Sequence, residues 1–258
     1  MQDLKITLIQ ANQKWEDKKT NLRHYEELLS NVQETDLILL PEMFQTGFTM
    51  NAAEMAEEMD NSKGLNWLKQ VAQLKSAAIY TSLIIREGAF FHNRGVFVFP
   101  DGSVEHYDKQ KSFGLAGEDQ VFKSGQNEKI VTYKGWKIML QICYDLRFPE
   151  LVRNKIVNDS PKYDLLLYVA NWPERRAEHW KTLLKARAIE NQCFVAGVNR
   201  VGVDGKNLTY SGDSVVVNAL GDEVKLKQSI EDVQTILLEP NTLSEIRTAL
   251  PFLKDQTC

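Results

Sequence analysis

Cys143 follows the apolar run Ile138-Met139-Leu140-Gln141-Ile142 and precedes Tyr144-Asp145-Leu146-Arg147-Phe148-Pro149-Glu150. The run reads as a buried strand and Pro149 as the opening of a helix over Pro149 to Val157, so the cysteine stands at a sharp bend. At the carboxyl end of a strand in an open α/β sheet, a thiol is an accessible nucleophile with unpaired N–H groups of the next turn nearby. Placed in a plain core, the same residue is only a small apolar filler. A free thiol with a pKa of about 8.5 is a few per cent thiolate at neutral pH, so nucleophilic work needs a base or a cation beside it. Two residues of those types end other apolar runs. Glu42 follows Leu37-Ile38-Leu39-Leu40-Pro41, and Lys109 follows Val104-Glu105-His106-Tyr107-Asp108, with Phe113, Gly114 and Gly117-Glu118 in the loop beyond. Taken singly, Glu42 equally suits a solvated strand exit and Lys109 a surface charge.

Other chemistries leave no comparable trace. The four histidines, His24, His92, His106 and His179, lack the spacing of a zinc site, so no metal is expected. Neither a Gly-x-Gly-x-x-Gly after a strand nor a Walker sequence is present, so no cofactor is expected. Cys193 begins the apolar run Phe194 to Val198 and reads as buried filler, while Cys258 ends the chain and reads as mobile. Three cysteines argue against a disulfide framework and suit a reducing compartment.

The elements that must position these groups are visible as short β-branched runs at Ile6 to Ile9, Leu37 to Leu40, Ile79 to Ile85, Val96 to Phe99, Ile138 to Ile142, Leu165 to Val169, Phe194 to Val198, Val215 to Val217 and Ile236 to Leu238. Helix-period stretches at Asn21 to Val32, Leu65 to Ala77 and Glu174 to Glu190 alternate with several of them, which implies layers. Pro100-Asp101-Gly102-Ser103 between two strands is a hairpin signature, so the sheet is mixed. With no repeat or long linker, residues 1–258 read as one domain. The tail 240–258, broken by Pro240 and Pro251, reads as weakly packed, an arm for a partner subunit.

In 258 residues, 43% hydrophobic and 26% charged usage is that of a globular chain that buries a large core. Its 31 Lys+Arg against 35 Asp+Glu give −4 without basic blocks, so neither nucleic acid nor an anionic membrane is an expected partner. The opening residues Met1 to Thr7 hold an acid and a base and no long apolar core, so the expectation is a cytoplasmic protein without a spanning helix.

Together, Leu40-Pro41-Glu42, Tyr107-Asp108-Lys109, Ala116-Gly117-Glu118 and Cys143 to Glu150 resemble the nitrilase superfamily of carbon–nitrogen hydrolases, from Ile6 to about Leu238. Ala170-Asn171-Trp172-Pro173, His179-Trp180 and Ala186 to Gln192 look most like its omega-amidase branch. The resemblance implies an α/β fold, a four-layer α-β-β-α sandwich with mixed sheets, and commonly a homodimer. It implies Cys143 as nucleophile, Glu42 as base, Lys109 with the Tyr144 N–H as oxyanion donors, and Glu118 as a second glutamate beside the lysine. The implied substrate is a small-molecule amide, a 2-oxo dicarboxylic mono-amide such as 2-oxoglutaramate. Arg147 and Arg176 are the candidates for its far carboxylate, Arg176 being the branch-specific one and Arg147 alternatively a brace for Glu150 or the helix start. Phe44, Phe48, Phe113, Tyr144 and Trp172 are candidates to wall the pocket, with Asn171 beside them. The rivals are a nitrilase, an N-carbamoyl amidase or an aliphatic amidase, and outside enzymes an idle scaffold of the same fold.

Overall fold

Leu37 and Leu39 face one side of their strand and Ile38 and Leu40 the other, and all four are buried. A strand apolar on both faces needs a layer on each side. The structure, a computed structural model describing residues 1–255, supplies a second sheet on one side and helices on the other. In chain order the first part runs β1 (Leu4–Gln10), α1 (Lys18–Ser30), β2 (Leu37–Leu39), α2 (Ala52–Met55), α3 (Lys63–Lys75), β3 (Ala78–Glu87), β4 (Phe90–Val98), β5 (Val104–Asp108) and α4 (Glu118–Val121). It continues through β6 (Ile130–Tyr133), β7 (Trp136–Ile142), β8 (Ile156–Val157), β9 (Ser160–Pro161), β10 (Leu165–Ala170), α5 (Ala177–Asn191) and β11 (Phe194–Asn199). The last part is β12 (Val201–Val203), β13 (Thr209–Ser211), β14 (Val215–Val217), β15 (Glu223–Lys225), β16 (Asp232–Leu238) and α6 (Pro240–Ala249).

One six-stranded sheet has the order β16-β1-β2-β3-β4-β5 and the other β15-β14-β11-β10-β7-β6. Each has parallel strands at its centre, β1-β2-β3 and β7-β10-β11, and antiparallel strands outside them. Between the sheets, Ile6, Leu8, Leu37, Leu39 and Tyr80 pack in one core with Ile138, Leu140 and Ile142. The Tyr80 hydroxyl donates to the Gln141 carbonyl at 3.0 Å, tying the sheets across their interface. Gly95 leaves room for it, since a Cβ there would stand 2.8 Å from that hydroxyl oxygen. On the outer face of the first sheet, Ile38, Leu40, Ile79 and Val96 pack with Tyr25 of α1 and Leu68 of α3. Behind the second sheet, α5 buries Trp180 and Leu184, close enough to β11 that a Cβ on Gly197 would collide with both. The result is the four-layer α-β-β-α sandwich. Truncating a core residue such as Trp180 would cost about 3–5 kcal/mol.

Two expectations are corrected. Pro149 opens only one 3-10 turn, Pro149–Leu151, and no α-helix extends to Val157. The Asn154 side chain donates to Tyr163 O and Asn191 O, and its N–H donates to Asn191 Oδ1, pulling the chain out of helical course. Asn158 and Asp159, at φ of 48° and 62°, then turn it back between β8 and β9. The weak packing expected of the tail is the second. Residues 240–255 fold onto their own chain, burying Leu243, Ile246 and Leu253, with Arg247 paired to Asp164 at 2.6 Å. The mobility expected of Cys258 concerns a residue outside the described ones.

Candidate active site

The ends of β2, β5, β7 and β10 converge, which brings together residues distant in sequence. At the end of β7 the chain bends at Cys143 itself, with φ at 46°. For a non-glycine residue this left-handed conformation costs about 1–2 kcal/mol and turns the side chain out of the strand. The following segment, Cys143–Arg147, is a 3-10 turn. The Asp145 carboxylate pins the bend by accepting from Ile142 N at 3.1 Å, Lys111 N at 2.9 Å and the Tyr107 hydroxyl at 2.9 Å. Burial pushes the Asp145 carboxyl up to about 7, against the pull of Lys109 and those three donors.

Glu42 stands two residues beyond Leu40, and Met43 after it is also left-handed, with φ at 46°. Its Oε1 accepts from Lys109 Nζ at 3.0 Å and Asn93 Nδ2 at 2.8 Å, and its Oε2 from Asn171 N at 2.9 Å. Lys109 also donates to both Glu118 oxygens at 2.9 Å, while Phe113 N donates to Glu118 Oε2 at 2.6 Å. Glu42 and Glu118 are 0% exposed and Lys109 3%, whereas Cys143 at 8% is the member that reaches the cleft. Its Sγ lies 4.0 Å from the Asn171 carbonyl.

Burial draws the Lys109 ammonium down, but Glu118 and Glu42 outweigh it and hold its pKa well above the ordinary lysine value. For Cys143, burial and then Glu42 push the thiol well up, with Lys109 opposing. Burial and Glu42 thus favour the thiol over a preformed thiolate at rest. Attack requires that its proton leave as the sulfur reacts, which is general-base chemistry.

Above the sulfur lies a cleft of about 760 Å³, including its open mouth, walled by Phe48, Phe113, Tyr144 and Trp172. Asn171 lines it as well, with its Nδ2 donating to Glu42 O at 2.5 Å. Arg147 lies over the Trp172 ring at 4.7 Å and beside His179 Nδ1 at 3.2 Å, so it does not brace Glu150, which is 3.7 Å from Lys111. Arg176 lies over the Phe113 ring at 4.9 Å. Neither arginine has a carboxylate within 4.0 Å among the described residues. Phe44, read as a wall residue, instead stacks on Trp67 in the helix-side core, 5.6 Å between ring centroids. It faces away because it follows the Met43 turn on the outer side of the sheet.

Residues 5–248 match the carbon–nitrogen hydrolase family. The chain belongs to the carbon–nitrogen hydrolase family. The hydrolase is 47% identical to an omega-amidase, YafV, of Yersinia enterocolitica, over 99% of this chain and 97% of that protein. It is 31% identical to a 2-oxoglutaramate amidase of Bacillus subtilis, over 85% of this chain and 84% of the other. Among solved structures, XC1258 of Xanthomonas campestris, a CN-hydrolase superfamily protein with an arsenic adduct in its active site, superposes with a TM-score of 0.97. That protein is 41% identical, and the match covers 100% of this chain and 98% of that one.

Sequence reasoning did not single out four contributors to the hydrolase site. Asn93 joins the glutamates from β4, and Asn199 at the end of β11 accepts from Trp172 N at 2.7 Å and donates to Trp172 O at 2.9 Å. Asp145 pins the bend, and Tyr210 lines the cleft with its hydroxyl donating to Asp204 at 2.8 Å. A signal existed for Asn93: His92-Asn93-Arg94 is a polar triplet inside a strand that is otherwise largely apolar, and all three are buried.

Proposed function

We propose that this hydrolase is an omega-amidase, converting 2-oxo dicarboxylic mono-amides such as 2-oxoglutaramate and 2-oxosuccinamate to the 2-oxo acid and ammonia. The observation that carries the reading is the buried Glu42–Lys109–Glu118 cluster beside Cys143, beneath a cleft where Arg147 and Arg176 lack carboxylate partners among the described residues. The names of the relatives in Yersinia enterocolitica and Bacillus subtilis support the same substrate class.

In this mechanism Glu42 takes the thiol proton as Cys143 Sγ attacks the carboxamide carbon. Negative charge develops on the carbonyl oxygen, where Lys109 and the N–H of Tyr144 stabilise it. Protonated Glu42 gives its proton to the departing nitrogen, and ammonia leaves behind a thioester. Glu42 then takes a proton from water as the water oxygen attacks the thioester. Collapse of that second intermediate releases the acid and restores the thiol. Glu118 holds Lys109 and orients the substrate amide.

The far carboxylate is assigned to Arg176, assisted by Arg147. Burial, and then Arg175 beside it, pull the Arg176 pKa below the ordinary arginine value, the mark of a desolvated cation without a carboxylate partner. The proposed setting is the cytoplasm. No helix among the described residues is long and apolar enough to cross a membrane. The proposed assembly is a homodimer, for which exposed Ile189 on α5 and Leu220, in the turn packed against it, offer apolar surface.

Ammonia release from 2-oxoglutaramate and 2-oxosuccinamate, against glutamine, asparagine, nitriles and ureides, tests the reading. A strong preference for the keto amides is expected, and equal turnover of the amino acid amides sinks it. Arg176→Ala should raise KM for 2-oxoglutaramate by about tenfold or more, as loss of a charge-assisted contact does, and unchanged kinetics would remove Arg176 from the role.

A further inference from the structure

Asn93 is 2% exposed, and its side-chain amide faces two carboxylates at once. Nδ2 donates to Glu42 Oε1 at 2.8 Å and to Glu118 Oε1 at 3.2 Å. Lys109 Nζ reaches the same two oxygens at 3.0 and 2.9 Å, so two donors and two acceptors close a ring. The backbone fixes the arrangement, because Lys109 N donates to Asn93 O at 3.0 Å where β4 pairs with the end of β5. Asn93 Oδ1 has no hydrogen-bond partner among the described residues. An unpaired buried acceptor is destabilising. Rotating the amide does not relieve it, since Oδ1 would then face two carboxylate oxygens. The side chain is thus held in a donating orientation at a cost in stability.

Among the described residues, Glu42 Oε1 already accepts from an ammonium and an amide, while Oε2 accepts only from Asn171 N. We infer that Asn93 is a positioning residue which, with Lys109, occupies Oε1 and leaves Oε2 as the oxygen of Glu42 that exchanges protons with Cys143, ammonia and water. This rests on the reading of Glu42 as the base. Without the Asn93 donor, Oε1 competes for the proton on the wrong side of the carboxylate, and the charged form loses a hydrogen bond that favours it. The ionisable groups facing Glu42 are Lys109 from the end of β5, Glu118 of α4 and Cys143 from the end of β7. Asp145 and Tyr80 act on the same cluster from further out.

The test measures kcat, KM and the pH dependence of kcat/KM on 2-oxoglutaramate for Asn93→Ala, Asn93→Asp and Glu42→Gln. In Asn93→Ala, kcat should fall by about 10- to 100-fold, part of what a positioned base contributes, and the acidic limb should move up. KM should change much less than kcat. Asn93→Asp keeps the shape but replaces the donor with a carboxylate oxygen, and should lose about 1,000-fold. It carries the same decision if the alanine variant fails to fold. An unmoved acidic limb in Asn93→Ala, or near-normal kcat in Asn93→Asp, overturns the inference. If Glu42→Gln keeps normal turnover, the base reading itself has failed. If Glu42→Gln is inactive while both Asn93 variants behave normally, only the role of Asn93 falls.

Discussion

Cys143 and Cys193 meet many of the same conditions. Each sits at a left-handed reversal, Cys143 itself at φ 46° and Gln192 before Cys193 at 45°. Either thiol lies 4.0 Å from a backbone carbonyl, Asn171 O in one case and Arg187 O in the other. Burial is the leading cause that pushes both thiols up. Two differences remain. Cys143 opens on a cleft and has Glu42 and Lys109 beside it, whereas Cys193 is 0% exposed between α5 and β11, without that pair. Burial alone therefore makes an inert sulfur. In the proposed mechanism, a buried thiol becomes a nucleophile because a carboxylate stands ready to take its proton and the substrate has space to approach.

The strongest way to break this comparison is Cys143→Ala. Turnover of 2-oxoglutaramate should fall by about 10⁵-fold, the scale seen when a covalent nucleophile is removed. Acid-quenched intact-mass spectra should show an acyl adduct on the parent enzyme, and added hydroxylamine should carry that acyl group off as a hydroxamate, with neither adduct nor hydroxamate formed by the variant. Substantial turnover without the sulfur would end the thioester route.

Lys109 distinguishes the two environments next. Lys109→Ala should lower kcat by about 100- to 1,000-fold, as loss of an oxyanion donor does. It also leaves Glu42 and Glu118 buried without their shared cation, so its melting temperature should drop too. Lys109→Arg keeps the charge and isolates geometry. A planar fork does not fit a position where one compact ammonium reaches three carboxylate oxygens, so its kcat should stay near that of the alanine variant while stability recovers. Recovery of kcat in the arginine variant would show that charge alone suffices.

What could be read in advance divides along physical lines. The strands were legible because apolar, β-branched runs need no partner to be recognised, and the Asp101-Gly102 turn carries its own conformational signature, with Gly102 at φ 82°. Glu42, Lys109 and Cys143 were legible as strand-end residues within a family pattern. Their meeting was not, since the Glu42–Lys109 contact spans 67 residues and depends on β3 and β4 lying between β2 and β5 in one sheet, while Cys143 joins them only because the second sheet packs against the first. Asn93 was missed because the polar triplet splits β4, so its unbroken apolar run begins at Val96 although the strand starts at Phe90. The stretch after Pro149 failed for another reason: Asn154 and the Asn158-Asp159 turn override a locally plausible helix. In the tail, Leu243 and Ile246 have helical spacing and are buried, a pattern outweighed in the reading by the two prolines.

The way the two cysteines are anchored gives a smaller, pH-dependent contrast. The Cys143 bend is pinned by Asp145, whose carboxyl burial raises to about 7. Between about pH 4, where an ordinary aspartate releases its proton, and pH 7 the folded chain retains a proton that the unfolded chain has lost. This contribution is fully present below about pH 4 and is lost as pH rises towards 7, at up to about 1.4 kcal/mol per pH unit. Next to Cys193, Gln192 donates instead to the neutral Leu250 carbonyl at 2.5 Å. Denaturant unfolding across this range should show the slope reduced in Asp145→Asn and unchanged in Gln192→Ala. An identical slope in Asp145→Asn would assign the pH dependence elsewhere.

Cys193→Ala carries the smallest effect and the most direct check on the inert half of the comparison. Removing one buried sulfur leaves a small cavity, so unfolding free energy should fall by about 1–2 kcal/mol. Turnover should stay within about twofold, because no group near Cys193 takes part in the proton transfers assigned to Glu42. In a Cys258→Ser background, iodoacetamide should label Cys143 in the folded enzyme and reach Cys193 only on unfolding. Labelling at Cys143 should quicken steadily as pH rises, because burial and Glu42 keep that thiol protonated well past the range of a free cysteine. Loss of turnover in Cys193→Ala without loss of structure would mean that the second cysteine contributes to catalysis, and that access and a neighbouring base do not explain the difference between the two.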